Sequence, residues 1–177
     1  MSTECKWQVQ HMHRHESPNN WQWQKLWLTV IARDGDKIIP PRTKKNSPRI
    51  IPGLKHPILL PSKAYKIWEK AATVSMLKCC LEMNRYRLMG LTDSVNVEAK
   101  IYRDRDVGDT NGFTQAIGDW LEHAGILVND RQIDGWDGTE RLKDAACPRL
   151  ELCITWKAAA NVKKVAKPRK ALSGGAM

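Results

Sequence analysis

Midway along this chain, apolar residues change from every second position to the spacing of a helix, which predicts a fold that combines a sheet with helices. In SVNVEAKIY, Ser94–Tyr102, the alternation is typical of a half-buried β-strand. In GFTQAIGDWLEHAG, residues 112–125, the apolar residues follow one helix face: Phe113, Ala116, Ile117, Trp120, Leu121 and Ala124. Gly125 stands where a left-handed residue ends a helix. The pattern predicts a strand followed by a helix that packs on its sheet.

Four other segments complete the predicted fold. Lys25–Arg33 indicates a strand that ends in a turn at Asp34–Asp36, and Arg149–Trp156 indicates a final strand. A long helix is predicted over Pro61–Asn84, capped by Ser62, with an apolar face formed by Ala64, Ile67, Trp68, Ala71, Val74 and Leu81. This order of elements predicts an α/β or α+β fold in which helices pack on a sheet.

The composition predicts one domain with polar ends. We expect residues 1–20 to be weakly ordered, residues 21–156 to form the domain, and residues 157–177 to form a basic tail. No run of 18 apolar residues is present, which argues against a membrane-spanning helix. The 5 cysteines include no CxxC pair, which favours reduced thiols and a cytoplasmic location.

The charge of the chain favours a polyanionic partner. There are 29 Lys and Arg against 19 Asp and Glu, giving a formal net charge of +10. Many of the basic residues lie in loops, which favours nucleic acid over a membrane surface. The loop Ile39–Gly53 contains four prolines and carries Arg42, Lys44, Lys45 and Arg49. Because proline restricts the backbone, we expect this loop to hold its charges in place for phosphate contact.

Acidic residues concentrate at two points of this basic chain. Asp106, Asp109 and Asn111 lie between the strand and the helix, and Asp130 follows the helix after a short hydrophobic run. If the helix packs on the sheet, both acidic loops converge at one edge. Oxygen ligands without His or Cys suit a hard cation such as Mg²⁺. The alternative is that Asp109 or Asn111 caps the helix, a role for which Asn111 is the stronger candidate.

The segment GDTNGFTQAIGDWLEHAGILVNDRQIDGWDG resembles the RusA-like family of Holliday junction resolvases. That family has an Asp-x-Asp-Asn segment, a helix, a hydrophobic step and Asp-Asp-x-Gln followed by Ile or Val. A gapless match places Asp109, Asn111 and Asp130 on its three catalytic aspartates and Gln115 on a common lysine position. PRTKKNS, PSKAYKIWEKAA and DGTERLKDAACPRLELCIT resemble its basic loop, first helix and closing segment, so the likeness covers roughly residues 26–156.

The resemblance implies a homodimer in which each subunit has a mixed β-sheet, two main packed helices and one acidic site. The implied activity is Mg²⁺-dependent resolution of four-way DNA junctions by paired symmetric nicks in a bacterial or phage-infected cell, with Mn²⁺ as an alternative ion. The implied catalytic residues are Asp109, Asn111, Asp130 and Gln115, and the implied metal ligands are Asp109, Asn111, Asp130 and Asp106. The expected DNA contacts are Arg42, Lys44, Lys45, Arg103, Arg105 and Arg131, with Lys163, Lys164, Lys167, Arg169 and Lys170 of the tail adding reach.

Three departures from the family pattern keep other hypotheses open. Asn111 and Asn129 replace acids and Gln115 replaces the lysine, so a second hypothesis is a catalytically weakened, structure-selective DNA-binding protein of the same fold. A third is a basic structural protein that binds duplex DNA or RNA through its arms. The third metal ligand stays open between Asn111 and Asp106. Asp119 shares a polar helix side with Asn111 and Gln115, where a solvated position is expected.

Overall fold

A six-stranded mixed sheet forms the centre of the fold in a computed structural model, which describes residues 6–12, 22–44, 49–51, 58–85, 88–105 and 108–158. The strands are β1 (Lys6–Met12), β2 (Gln22–Val30), β3 (Arg33–Asp34), β4 (Lys37–Ile38), β5 (Arg49–Ile51), β6 (Ile58–Leu60), β7 (Val95–Arg103), β8 (Ile133–Gly135), β9 (Glu140–Lys143) and β10 (Arg149–Ala158). The helices are α1 (Lys63–Arg85), α2 (Thr110–His123) and a short 3-10 helix (Asp130–Gln132). The fold is therefore of the mixed α+β class.

The sheet has the order β1, β2, β10, β7, β8, and β9 also pairs with β7. The pairs among β1, β2, β10 and β7 are antiparallel, whereas β8 and β9 run parallel to β7. Cross-strand neighbours on β2, β10 and β7 form three buried apolar rows: Val30, Leu150 and Ile101; Leu28, Leu152 and Ala99; Leu26, Ile154 and Val97. These rows form one core with Tyr65 and Trp68 of α1 and Phe113 and Trp120 of α2.

Local signals predicted several elements correctly. The strand at Ser94–Tyr102 is β7, and Arg149–Trp156 lies within β10. Ser62 caps α1, because its Oγ accepts a hydrogen bond from the Tyr65 N–H at 3.2 Å. Gly125 has a φ of 73°, the left-handed conformation expected after α2.

Other elements were not predicted or differ in their bounds. The strand predicted at Lys25–Arg33 divides into β2 and β3, and the acidic turn joins β3 to β4. Within the first 20 residues, expected to be weakly ordered, β1 pairs with β2. The proline-rich loop contains β5, which pairs with β6 in a separate two-stranded sheet.

The predicted apolar face of α1 is wrong in orientation. Trp68 and Ala71 are buried as expected, but the core also receives Tyr65, Ala72, Met76, Cys79 and Met83. Ile67, Val74, Leu77 and Leu81 are instead 50% to 69% exposed. Apolar residues lie around much of this helix, so the spacing alone identifies the helix without identifying its buried side. Among the described residues, no helix is long and apolar enough to cross a membrane.

Candidate functional site

Asp109 is the N-cap of α2, six residues after Arg103 ends β7. Its backbone is extended, with φ −90° and ψ 155°, and its Oδ1 accepts a hydrogen bond from the Gly112 N–H. Asn111, the stronger capping candidate from sequence, lies instead in the first helical turn and is exposed, which corrects that interpretation. A carboxylate has two oxygens, so a cap made through Oδ1 leaves Oδ2 for a further ligand.

Two glycines let the surrounding chain approach Asp109 closely. A Cβ on Gly112 would lie 2.7 Å from Asp109 Oδ1 and 3.2 Å from Thr43 Cγ2. A Cβ on Gly108 would lie 3.1 Å from Phe113 Cε2, and Gly108 has a φ of 100° that L side chains rarely adopt. The turn that carries Asp109 is therefore closely packed, and a side chain at either glycine would displace it.

Asp130 begins the 3-10 helix and packs against the side of α2. Its backbone N–H donates to Glu122 Oε2 at 3.0 Å. A Cβ on Gly118 would lie 3.7 Å from the Asp130 Cβ, so this glycine marks where the two segments meet. Glu122 was not among the predicted site residues, although it continues the polar side of α2 seven residues beyond Gln115.

One face of α2 carries Asn111, Gln115, Gly118 and Glu122, at successive spacings of four, three and four residues. Asn111 and Gln115 are exposed on this face. Asp130 therefore packs against the same helix face as Asn111 and Gln115, but it lies beside Gly118, about 10 Å along the helix axis from Asn111. Asp109 lies at the start of the same helix.

The donor chemistry at α2 suits a hard cation, because every candidate ligand offers oxygen. Among the described residues, no three His, Cys, Asp or Glu side chains come close enough to hold a metal ion. Asp106, the alternative third ligand, lies outside the described residues. Mg²⁺ commonly keeps several waters and takes only one or two carboxylates, so these residues fit a sparsely held ion better than a closed acidic cage. The metal site stays a prediction.

Arg103 lies inside the protein at the end of β7, although it was expected to contact DNA. Residues alternate strictly along β7, and this alternation places Arg103 on the buried face with 4% of its surface exposed. Its guanidinium lies over the Phe113 ring, 4.9 Å from the ring centroid. Burial lowers the pKa of Arg103, the charges of Arg42, Arg105 and Arg141 lower it further, and Asp104 opposes them. An arginine nevertheless keeps its proton, so the site has a buried positive charge.

A groove of about 540 Å³ opens beside Asp104 and Arg105, the residues that follow β7. It is lined by three basic side chains, two acidic side chains and small or apolar residues: Lys37, Arg42 and Arg105; Asp36 and Asp104; and Ile38, Pro40, Ala145, Ala146 and Pro148. We call it the basic groove. Arg141 donates from Nη1 to the Gly108 carbonyl oxygen, directly before Asp109. Positive charge therefore exceeds negative charge around the turn that leads to Asp109.

The remaining predicted DNA contacts are dispersed. Arg131 is exposed in the 3-10 helix beside Asp130. Lys44 forms an ion pair with Asp119, so this aspartate is paired and partly buried where a solvated position was expected. Lys45 and the tail residues Lys163, Lys164, Lys167, Arg169 and Lys170 lie outside the described residues.

Asn129, which replaces an acid of the family pattern, has a structural role here. Its Oδ1 accepts from the Arg131 N–H at 3.0 Å, and its own N–H donates to Gln132 Oε1 at 2.7 Å. This reciprocal pair is a capping box for the 3-10 helix. Gln132 Nε2 also donates to the carbonyl oxygens of Leu91 and Asp93, which fixes the 3-10 helix to the chain entering β7.

Comparison with known proteins does not add a family. No protein-family model matches the chain, and no curated protein matches it significantly. The resemblance to RusA-like resolvases therefore stays a prediction that rests on the motifs described above.

Proposed function

We propose that this protein is a Mg²⁺-dependent endonuclease that cuts branched DNA, with four-way junctions as its substrate. The observation that carries the proposal is that Thr43, the neighbour of Arg42 in the chain, packs against Gly108 and Gly112 on either side of Asp109. Arg42 and Arg105 line the groove, and Asp109 follows Arg105 by four residues in the chain. A phosphodiester held by the arginines would lie beside the carboxylate.

The chain's own groups divide the work. Lys37, Arg42 and Arg105 would bind the phosphates of the DNA backbone. Asp109 would hold Mg²⁺ with help from Asn111 or Asp106, and Asp130, which lies farther along α2, would reach the ion through the waters that Mg²⁺ keeps. Gln115 would contact the same site from α2. When bound, Mg²⁺ supplies a water of lowered pKa and charge neutralisation at the phosphate. The guanidinium of Arg103, which is buried against the Phe113 ring, would add positive charge near the site without reaching solvent.

Cleavage of a synthetic four-way junction tests this function against a linear duplex of the same sequence and length. We expect paired nicks in the junction that require Mg²⁺ or Mn²⁺ and little cutting of the duplex. Asp130→Asn should reduce the cleavage rate by about a hundredfold or more while junction binding persists. Undiminished cutting by this variant would overturn the site assignment.

A second candidate function is structure-selective DNA binding with weakened catalysis. The observation that favours it is the sparse charge on α2, because Asp109 Oδ1 is already used by the cap and Asn111 is neutral. Asn111→Asp separates the two functions. A degenerate site predicts that this variant gains Mg²⁺ affinity and cleavage rate by about tenfold or more, whereas a working site predicts little gain.

Two symmetric nicks require two sites, and we propose that a homodimer supplies them. The exposed side of α1 offers a self-complementary surface. Antiparallel pairing of two copies about Val74 places Ile67 opposite Leu81 of the other copy and the two Val74 side chains opposite each other. The seven-residue spacing of Ile67, Val74 and Leu81 is that of a helix–helix seam.

A further inference from the structure

The loop that carries Arg42 is fastened to both helices at two adjacent residues. Thr43 is 3% exposed, and its methyl group packs against Gly108 and Gly112, where neither residue has a side chain. A Cβ on Gly112 would lie 3.2 Å from Thr43 Cγ2, and a Cβ on Gly108 would lie 3.5 Å from it. These glycines lie on either side of Asp109, so the loop at Thr43 contacts the segment that carries Asp109.

Ser62 ties the same loop to the start of α1. Its Oγ donates to the Thr43 carbonyl oxygen at 3.4 Å, and its N–H donates to the Lys44 carbonyl oxygen at 3.3 Å. The same Oγ accepts from the Tyr65 N–H as the cap of α1. One serine thus fixes both the helix start and the loop backbone.

Lys44 completes the fastening through its side chain. Its Nζ forms an ion pair with Asp119 of α2 and lies 5.7 Å from the centroid of the Tyr65 ring. Both side chains are partly buried, so salt screens this pair less than it screens an exposed pair. The ammonium is thereby directed at α2, in contrast to the Arg42 side chain, which lines the basic groove.

We propose that Lys44 is a positioning residue whose ion pair with Asp119 holds Arg42 and the basic groove in register with Asp109. This inference rests on the proposed function for its DNA readout. It changes the expected role of Lys44, which the sequence placed among the direct phosphate contacts. The two roles make opposite predictions for a change at its partner.

Asp119→Asn gives the sharpest test, by junction binding without Mg²⁺ over a series of salt concentrations. If Lys44 contacted phosphate, removal of a nearby negative charge would tighten binding. A positioning role predicts weaker binding, by up to about fivefold, because the loop is released. Asp36→Asn is the matched control, since it removes a carboxylate from the groove without disturbing this pair and should tighten binding.

The charge-swapped double variant Lys44→Glu/Asp119→Lys guards against simple misfolding. It should show slower hydrogen exchange at the Arg42 and Thr43 amides than Lys44→Glu alone, because it restores the pair with reversed charges. A direct phosphate contact predicts no such rescue. Tighter binding by Asp119→Asn, or no rescue by the swap, overturns the positioning role.

Hydrogen exchange tests the fastening without DNA. Asp119→Asn should raise exchange at the amides of Arg42, Thr43 and Lys44 and leave β2 unchanged, and unaltered exchange in this loop would contradict the inference. If the wild-type protein shows no preference for junctions over duplex, the proposed function fails. The exchange measurement then still decides whether the ion pair holds the loop.

Discussion

The guanidinium of Arg103 lies 4.9 Å from the centroid of the Phe113 ring, so the last residue of β7 rests under the first turns of α2. This contact joins the strand to the helix across the turn that carries Asp109. Arg103 and Arg105 are only two residues apart but lie in different environments. Arg103 is buried, and Arg105 is exposed in the basic groove.

We therefore expect Arg103 and Arg105 to respond differently to substitution. Arg105→Ala should reduce the slope of log binding constant against log salt by about 0.9 and change the free energy of unfolding by less than about 0.5 kcal/mol. Arg103→Met should lower the free energy of unfolding by about 1–3 kcal/mol, because it removes the buried contact with Phe113. Salt-dependent anisotropy and urea unfolding measure the two effects, and equal loss of salt slope in both variants would contradict the assignment.

Asp109 has a capping role and a proposed chemical role, and two substitutions separate them. Asparagine caps a helix about as well as aspartate, so Asp109→Asn should keep the thermal stability while reducing cleavage. Asp109→Ala should reduce cleavage and also cost about 1 kcal/mol of unfolding free energy. Cleavage assays and thermal melts on both variants check this. If Asp109→Asn cleaves as fast as wild type, Asp109 caps α2 but has no role in cleavage.

Gly112→Ala should destabilise the protein even though alanine favours helices. The added Cβ would meet Asp109 Oδ1 at 2.7 Å and Thr43 Cγ2 at 3.2 Å, so it disturbs the cap and the loop together. We expect a loss of about 1–3 kcal/mol in unfolding free energy. Gly118→Ala is the matched control: its nearest neighbour is the Ile133 Cδ1 at 3.3 Å, and the change should stay within about 1 kcal/mol. Equal losses in the two variants would mean that the close contacts of Gly112 with Asp109 and Thr43 do not matter for stability.

Glu69 should make the packing of α1 against α2 sensitive to acid. Partial burial alone would raise its pKa, but hydrogen bonds from Lys66, His123 and Tyr65 lower it below the usual value of 4.5. A carboxyl with a lowered pKa in the folded state contributes stability at neutral pH, and this contribution is lost as the pH falls below about 4.5 toward the folded-state value. Glu69→Gln should be less stable than wild type at pH 7, with a smaller difference near pH 3. Urea unfolding across this range tests it, with the exposed Glu140→Gln as control; a difference that does not vary with pH would refute it.

The exposed apolar side of α1 gives a direct test of the proposed homodimer. Val74→Glu would place two like charges opposite each other in the antiparallel pair, so sedimentation should show a monomer. Thr92→Glu adds the same charge at an exposed position outside α1 and should leave the dimer intact. If wild type sediments as a monomer at all concentrations, or if Val74→Glu remains dimeric, this surface is not the interface.

Local features of the fold could be predicted from the sequence, whereas non-local ones could not. Ser62 and Gly125 were predicted because caps depend on a few adjacent residues. The buried side of α1 was not, since Ile67 and Val74 are as apolar as Met76 and Met83, and only the packing partners decide which side faces the sheet. β9 was missed because ERLK lacks apolar alternation, and its pairing with β7 depends on distant residues.

The candidate site shows the same limit. The two acidic segments were recognised from their positions around the helix, and Asp130 does pack on α2. Continuing the alternation of Val97, Ala99 and Ile101 by one step would have placed Arg103 inside, but its charge suggested the surface. The Lys44–Asp119 pair was beyond sequence reasoning, because it joins a loop to a helix 75 residues away along the chain.

Asp109 and Asn129 both cap helices, and this has a consequence for how the protein can evolve. Aspartate and asparagine are nearly equivalent as caps, and one base change in a codon interconverts them. The number of negative charges around α2 can therefore rise or fall without loss of stability. Selection on activity alone would then decide which of the two residues stands at each cap, while the scaffold tolerates both.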